Sequence, residues 1–286
     1  MFNFLDDIIA DPGFYRQLRY DDELVTEYNC PIGEKLQDLW SHQSYFVFVL
    51  DGRKVWHTAD GAVDLHAGEA AFVRKGAGIV EQDFARPFCV VIFFVSDEFI
   101  CETVRSMGPM ERRPPQHTPA MVRLNKGAVL DGFVQSMLPH FRQGLPVHPE
   151  LLRLKFRELL LAVMADAGNA QLLSYFCSLL HDPVHERVRR VMEDNYRFNL
   201  QLEDFARLSG RSLSAFKRDF QEIYGMPPGR WLRDRRLERA RTMLRAGDLQ
   251  VSEVAFQCGF ENLSHFSRAF KEHFGHAPAA LREAKA

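Results

Sequence analysis

Hydrophobic and polar positions alternate in two different ways along this chain. From Glu23 to about Ser96, short apolar runs are separated by Gly-bearing turns, which predicts strands. Ser44-Tyr-Phe-Val-Phe-Val-Leu50, then Asp51-Gly52, then Arg53-Lys-Val-Trp-His-Thr58 reads as a hairpin on an Asp-Gly turn. Ala59-Asp-Gly61 leads into Ala62-Val-Asp-Leu-His66, and Ala67-Gly68 leads into Glu69-Ala-Ala-Phe-Val-Arg-Lys75. Gly76 and Gly78 break the next pair, and Phe88-Cys-Val-Val-Ile-Phe-Phe-Val95 is a continuous apolar strand. Short strands punctuated this way predict a small barrel or sandwich. The amphipathic first twenty-odd residues predict a short helix or arm.

After Ser96 the period becomes helical. Asp97 to Met107 places Phe99, Ile100 and Val104 inward, and the four prolines between Gly108 and Pro119 mark an exposed loop. Val129, Phe133, Met137 and Phe141 carry a helix to Gly144. Pro149 to Met164 is strongly amphipathic and is ended by Gly168. Its Leu151, Leu152, Leu154, Phe156, Leu159, Leu160 and Val163 exceed what one flank of a small barrel needs, which predicts a self-association face, with packing against the chain's own barrel as the equal alternative for any one of them. Gln171 to Leu180 is a shorter helix, and His181-Asp-Pro183 reads as a domain junction.

The last hundred residues contain one pattern twice. At a constant offset of fifty, Leu213 matches Leu263, Ser214 Ser264, Phe216 Phe266, Arg218 Arg268, Phe220 Phe270, Gly225 Gly275 and Pro228 Pro278. Each copy predicts a short helix, a tight turn and a longer helix, the helix-turn-helix arrangement. Ser212 and Asn262 are suited to cap the longer helices, and Gly225 fits a left-handed C-terminal cap before the prolines that follow. Phe216 and Phe220 fall on the buried stripe. Between the copies, Gly229 to Arg245 carries seven arginines around Trp231, Leu232, Leu237, Ala240 and Leu244. A helix over 228–245 spans roughly 27 Å, the order needed to set two units near the ~34 Å repeat of one DNA face.

Charge sharpens this picture. The net charge is −2, yet residues 183–286 hold 19 Lys and Arg against 14 Asp and Glu, while residues 1–182 hold 17 against 24. The basic end suits phosphate, and the acidic end repels it. Five cysteines (Cys30, Cys89, Cys101, Cys177, Cys258) lie without C-x-x-C pairing, which fits reduced thiols and argues against a disulfide framework or zinc site. No apolar run approaches eighteen residues and no signal peptide is legible, so the expected location is cytoplasmic with no membrane association.

Ser214, Lys217, Arg218 and Gln221 share one face of the first longer helix, and Leu263, Ser264, Ser267 and Arg268 share the matching face of the second. Arg and Lys can donate to guanine O6 and N7, Gln can pair with adenine, and Ser can serve either base. Taken singly, each of these residues also fits an ordinary solvated helix face. With Val251-Ser-Glu-Val-Ala-Phe-Gln-Cys-Gly-Phe260, Ser267 to Gly275, Pro278 and Arg236-Leu237, the segment from about Val184 to Arg282 resembles the DNA-binding domain of the AraC/XylS family. The resemblance implies seven helices, sequence-specific major-groove reading of double-stranded DNA, and base contacts from those eight residues. Leu263 departs from the polar residue often found there, which leaves it either a thymine methyl to touch or no base contact at all.

Leu50-Asp-Gly52 and Leu65-His-Ala-Gly68-Glu-Ala are similar to the cupin-like sensory domain that precedes many such readers. His42, His57 and His66 stand singly, without the His-x-His pair of metal-dependent cupins, so neither a metal, a cofactor nor an enzyme activity is expected. The aromatic residues Tyr45, Phe46, Phe48, Trp56, Phe72, Phe84, Phe93 and Phe94 serve as core or as cavity lining, and the sequence does not separate the two.

The expected fold is α+β and multidomain. A cupin-like barrel occupies 1–107, a linker with a helical support and dimerisation region occupies 108–180, and an all-α DNA-binding domain occupies 181–286, with helix-turn-helix units at 201–225 and 250–275. The resemblance implies a homodimeric transcription activator that works with RNA polymerase under the control of a small-molecule effector. The alternatives are a protein partner, which the barrel outline and Phe72-Val-Arg-Lys-Gly76 suggest by their similarity to activators of type III secretion, or a cupin enzyme fused to a DNA-binding tail.

Overall fold

The structure, a computed structural model, describes residues 1–28, 35–82, 88–108, 117–247 and 249–283. The sequence readings at Cys30, at Phe84 and over most of the Gly108–Pro119 loop lie outside the described residues. The chain divides into two compact units, Met1–Asp182 and Pro183–Ala286.

Unit 1 begins with β1 (Phe2–Asn3), α1 (Phe4–Ala10), β2 (Arg16–Tyr20), β3 (Glu23–Tyr28), β4 (Leu36–Ser41) and β5 (Ser44–Asp51). It continues through β6 (Arg53–Thr58), β7 (Gly61–His66), β8 (Ala70–Val73), β9 (Gly76–Gln82) and β10 (Cys89–Val95). Then come α2 (Asp97–Ser106), β11 (Met121–Arg123), α3 (Ala128–Arg142), α4 (Pro149–Ala165) and α5 (Ala170–Leu179). The strands form a five-stranded sheet in the order β1-β4-β9-β6-β7 and a six-stranded sheet in the order β11-β8-β5-β10-β3-β2. The expected barrel is thus a pair of facing sheets that stay separate among the described residues.

The hairpin expected over Ser44–Thr58 does not form. β5 lies between β8 and β10, whereas β6 lies between β7 and β9 in the other sheet, so Asp51-Gly52 carries the chain across. Gly52 takes φ 78° at that crossing, a conformation that costs glycine little. The reason lies in burial. Tyr45, Val47 and Val49 enter the layer between the sheets with Trp56, Val80 and Ile92. Phe46 and Phe48 point the opposite way and pack with Phe93, Phe133, Phe156 and Phe176 from β10 and the helices. A strand buried on both faces reads as a continuous apolar run and belongs in the centre of a covered sheet.

α4 is part of that second core. Leu152, Phe156, Leu159, Leu160 and Val163 are buried to 2% exposure or less, while Leu151 and Leu154 remain 42% and 59% exposed. Most of the face expected to mediate self-association therefore covers the molecule's own six-stranded sheet. Val91, Phe93 and Val95 need a partner on that side, and α4 supplies it.

Unit 2 is all helical: α6 (Val184–Asn195), α7 (Leu202–Leu208), α8 (Leu213–Tyr224), α9 (Pro228–Ala246), α10 (Val251–Gln257), α11 (Leu263–Phe274) and α12 (Ala280–Glu283). α9 joins the two helix-turn-helix pairs. Its Trp231 packs on Tyr196, Phe220 and Tyr224, and its Leu237, Ala240 and Leu244 pack with Val254, Ala255, Phe266 and Phe270.

Candidate nucleic-acid interface

Local chemistry fixes where α8 and α11 start and stop. Ser212 Oγ accepts from the Ala215 N–H at 3.3 Å, and Asn262 Oδ1 accepts from the N–H groups of Ser264 and His265 at 2.8 and 3.1 Å. Each satisfies donors that the first helical turn leaves without a partner. Gly225 and Gly275 end the helices at φ 67° and 80°. The shorter helices are also matched, in a way the fifty-residue offset hides. The Gln201 N–H donates to the Asp204 carboxylate at 2.9 Å, and the Gln250 N–H donates to that of Glu253 at 2.6 Å. These pairs stand forty-nine residues apart because the second turn, 258–262, is one residue longer than the first, 209–212.

Burial separates the two faces of each of these helices. On α8, Phe216, Asp219 and Phe220 are buried, and Ser214, Lys217, Arg218 and Gln221 are exposed. On α11, Phe266, Ala269 and Phe270 are buried, Leu263, Ser264 and Arg268 are exposed, and Ser267 is half-buried. The structure thus brings the eight sequence-predicted residues together as two sets of four, each along one helix face. The side chains of Arg218 and Arg268 are 72% and 81% exposed. Each already has a carboxylate at hand: Arg218 meets Asp219 at 3.3 Å and Arg268 meets Glu272 at 3.1 Å.

The turns are braced differently. Arg211 holds the buried Asp219 at 2.7 and 2.8 Å, so a cation at the end of the first turn neutralises a carboxylate beneath α8. Ala269 stands where α11 would need that carboxylate, and the brace of the second turn comes from α9. The guanidinium of Arg236 donates to the carbonyls of Tyr196 at 2.9 Å, Phe198 at 2.6 Å and Gly259 at 3.2 Å. Burial pushes this guanidinium down to about 10, which still leaves it charged at neutral pH. Asn199 Nδ2 donates to Glu261 Oε1 at 3.0 Å, and Arg239 donates to the Gln257 carbonyl at 3.2 Å.

A groove of about 710 Å³ lies between the two pairs, lined among others by Gln201, Arg233, Arg236, Ser264, His265 and Arg268. Reading the sequence alone missed Arg236, Asn199 and Arg239 as bridging groups, because carbonyl acceptors leave no trace in residue types. In unit 1 the three noted histidines have separate neighbours: Asn3 for His42, Glu81 for His57 and Asp64 for His66. Among the described residues, no group of three or more His, Cys, Asp or Glu is placed to hold a metal ion.

Residues 205–284 match the family model of a helix-turn-helix domain, and residues 44–175 match that of the ExsA N-terminal regulatory domain. The chain belongs to the AraC family of transcription regulators. Among curated AraC-type relatives, the virulence regulon transcriptional activator VirF of Yersinia enterocolitica is 28% identical over 247 residues, which is 85% of this chain and 90% of that protein. The HTH-type transcriptional regulator ExsA of Pseudomonas aeruginosa is 28% identical over 243 residues, 83% of this chain and 85% of that one. Among solved structures, ToxT from Vibrio cholerae is 15% identical, with 91% of this chain and 98% of that chain covered, at a TM-score of 0.41. The AraC-type relatives are regulators and not enzymes.

Proposed function

We propose that this chain is a sequence-specific transcription activator that reads double-stranded DNA with α8 and α11 and is controlled through unit 1. The observation that carries the reading is the pair of exposed hydrogen-bonding faces on α8 and α11. In it, residues 181–286 are the DNA reader, residues 1–107 receive the signal, and residues 108–180 support them. Arg218, Arg268 and Lys217 address guanine, Gln221 addresses adenine, Ser214, Ser264 and Ser267 complete the polar contacts, and Leu263 meets a thymine methyl. The names of the curated relatives, transcriptional activators among them, support activation, and an activator of this kind works in the cytoplasm with RNA polymerase. Among the described residues no single helix is long and apolar enough to cross a membrane. Selection from a random DNA pool, followed by transcription with purified RNA polymerase on the selected site, tests the reading. A pool that enriches no sequence sinks it.

The interior of unit 1 favours a protein partner over the small-molecule effector expected from the sequence. Phe4 of α1 enters the layer between the sheets and meets the rings of Tyr28, Tyr45 and Phe94 at centroid distances of 5.4, 6.0 and 5.5 Å. All four are buried, and a small molecule in that layer would have to displace them. Mass spectrometry of the purified protein separates the two: a stoichiometric organic molecule supports the effector reading and overturns the protein-partner one. Homodimerisation is supported by the exposed Leu151 and Leu154 on α4. A parent protein that sediments as a monomer at micromolar concentration, with or without DNA, overturns it.

A further inference from the structure

We propose that Arg236 is a positioning residue that fixes the spacing at which the two helix-turn-helix pairs read DNA. The inference rests on the two-pair readout proposed above and goes beyond it, because Arg236 is not among the base-facing residues. The residue is half-buried, and its guanidinium is turned to three backbone carbonyls. Two of these, of Tyr196 and Phe198, belong to the segment that joins α6 to α7 of the first pair. The third, of Gly259, lies in the turn of the second pair.

The remaining bridges converge on the same place. Asn199, beside Phe198, reaches Glu261, and Arg239, one turn along α9 from Arg236, reaches Gln257. The segment from Gln257 to Glu261 is thus tied at three residues to α9 and to the entrance of the first pair. Gly259 makes room for the contact that its own carbonyl accepts. It takes φ 78°, and a Cβ built there would lie 3.0 Å from Cζ and Nε of Arg236. Glycine takes this φ without strain and leaves the guanidinium against that carbonyl, where a Cβ would push it back by a few tenths of an ångström.

The apolar contacts of α9 hold each pair to the linker helix, but hydrophobic contacts are non-directional and tolerate small rotations. A planar guanidinium with donors in a fixed fork does not. It holds acceptors from both pairs in one geometry, which the point charge of a Lys ammonium does not reproduce. The consequence for reading is one of phase. With 10–10.5 base pairs per turn, each inserted base pair rotates the second half-element by roughly 35°. A rigid protein loses contacts on such a site, whereas a hinged one follows it.

The test uses the full-length protein and a site selected from random DNA, rebuilt with zero, one and two base pairs inserted between the half-elements. We expect the parent to lose about tenfold or more in affinity on the first insertion, the loss that misplaced base contacts bring. Arg236→Gln should lose no more than about threefold on the same insertion, and it should bind each half-element alone like the parent. An Arg236→Gln protein with the parent's full insertion penalty overturns the inference while leaving the two-pair readout standing. A parent indifferent to insertion overturns both. If circular dichroism shows Arg236→Gln unfolded, Arg236→Lys decides by the same ratio: a flattened spacing profile supports the role, and a parent-like profile removes it.

Discussion

Arg218 and Arg268 occupy equivalent positions and are both largely exposed, yet each free side chain leans on an acid. In the proposed readout DNA binding exchanges these contacts for a base edge: the buried Asp219 keeps Arg211 as its partner, and the Arg268–Glu272 pair is exposed and worth little. Arg218→Ala and Arg268→Ala should therefore each cost about 1–3 kcal/mol at the selected site and relax discrimination at one base step. Binding measured across single-base variants of the site checks this, and unchanged preference in both variants would remove these residues from the interface. Glu23 poses a separate question at the same scale. It is buried with 3% exposure and accepts from Ser96 Oγ at 2.7 Å, and burial raises its pKa. A raised carboxylate favours folding when protonated, so its contribution is most favourable below the ordinary Glu range and is lost as pH rises through the folded value. A Gln carbonyl can accept the same bond from Ser96. Glu23→Gln should accordingly be the more stable protein at pH 7, with the difference closing toward pH 4 in denaturant melts. An equal or larger advantage at pH 4 would contradict the burial argument.

At the scale of elements, what the sequence discloses depends on whether one residue or many decide the outcome. The bounds of α8 and α11 were legible because capping side chains, buried phenylalanines and C-terminal glycines all agree on them, with Ser212 and Gly225 for α8 and Asn262 and Gly275 for α11. The partners of β5 were not legible, since Asp51-Gly52 suits a hairpin as well as a crossing between sheets. What decides is that Phe46 and Phe48 find cover on one face while Tyr45 and Val47 find it on the other, a fact about neighbours distant in the chain. α4 shows the same limit. Its apolar stripe was visible, but whether the stripe faces its own sheet or a second copy depends on where β10 lies. Leu152→Ala should cost about 2–5 kcal/mol in stability, as expected for a core position, and Leu152→Glu with Leu159→Glu should unfold unit 1. The exposed pair is the informative one. Leu151→Glu with Leu154→Glu should leave the melting transition within about 0.5 kcal/mol of the parent while weakening any dimer seen by sedimentation. Loss of fold in that double variant would contradict the exposure of these two side chains.

For the molecule as a whole, the division at Asp182–Pro183 separates two kinds of core and two signs of charge. Unit 2 buries its own apolar set around α9 and carries the arginine excess, 19 Lys and Arg against 14 Asp and Glu. Its helical contacts run between elements close in sequence, a topology that folds readily. A fragment of residues 183–286 should therefore fold alone and bind the selected site. Because unit 1 carries 24 acidic residues against 17 basic ones, removing it also removes a negative field, so nonspecific binding should be tighter for the fragment than for the full chain at low salt. The logarithm of affinity should fall linearly with the logarithm of salt concentration, with a slope near −0.9 for each phosphate neutralised. The slope should be preserved between fragment and full chain if all phosphate contacts come from unit 2. A fragment that is unfolded by circular dichroism, or whose binding does not respond to salt, would show that the reader depends on the rest of the chain. A shallower slope in the fragment would place some of the phosphate contacts in residues 1–182.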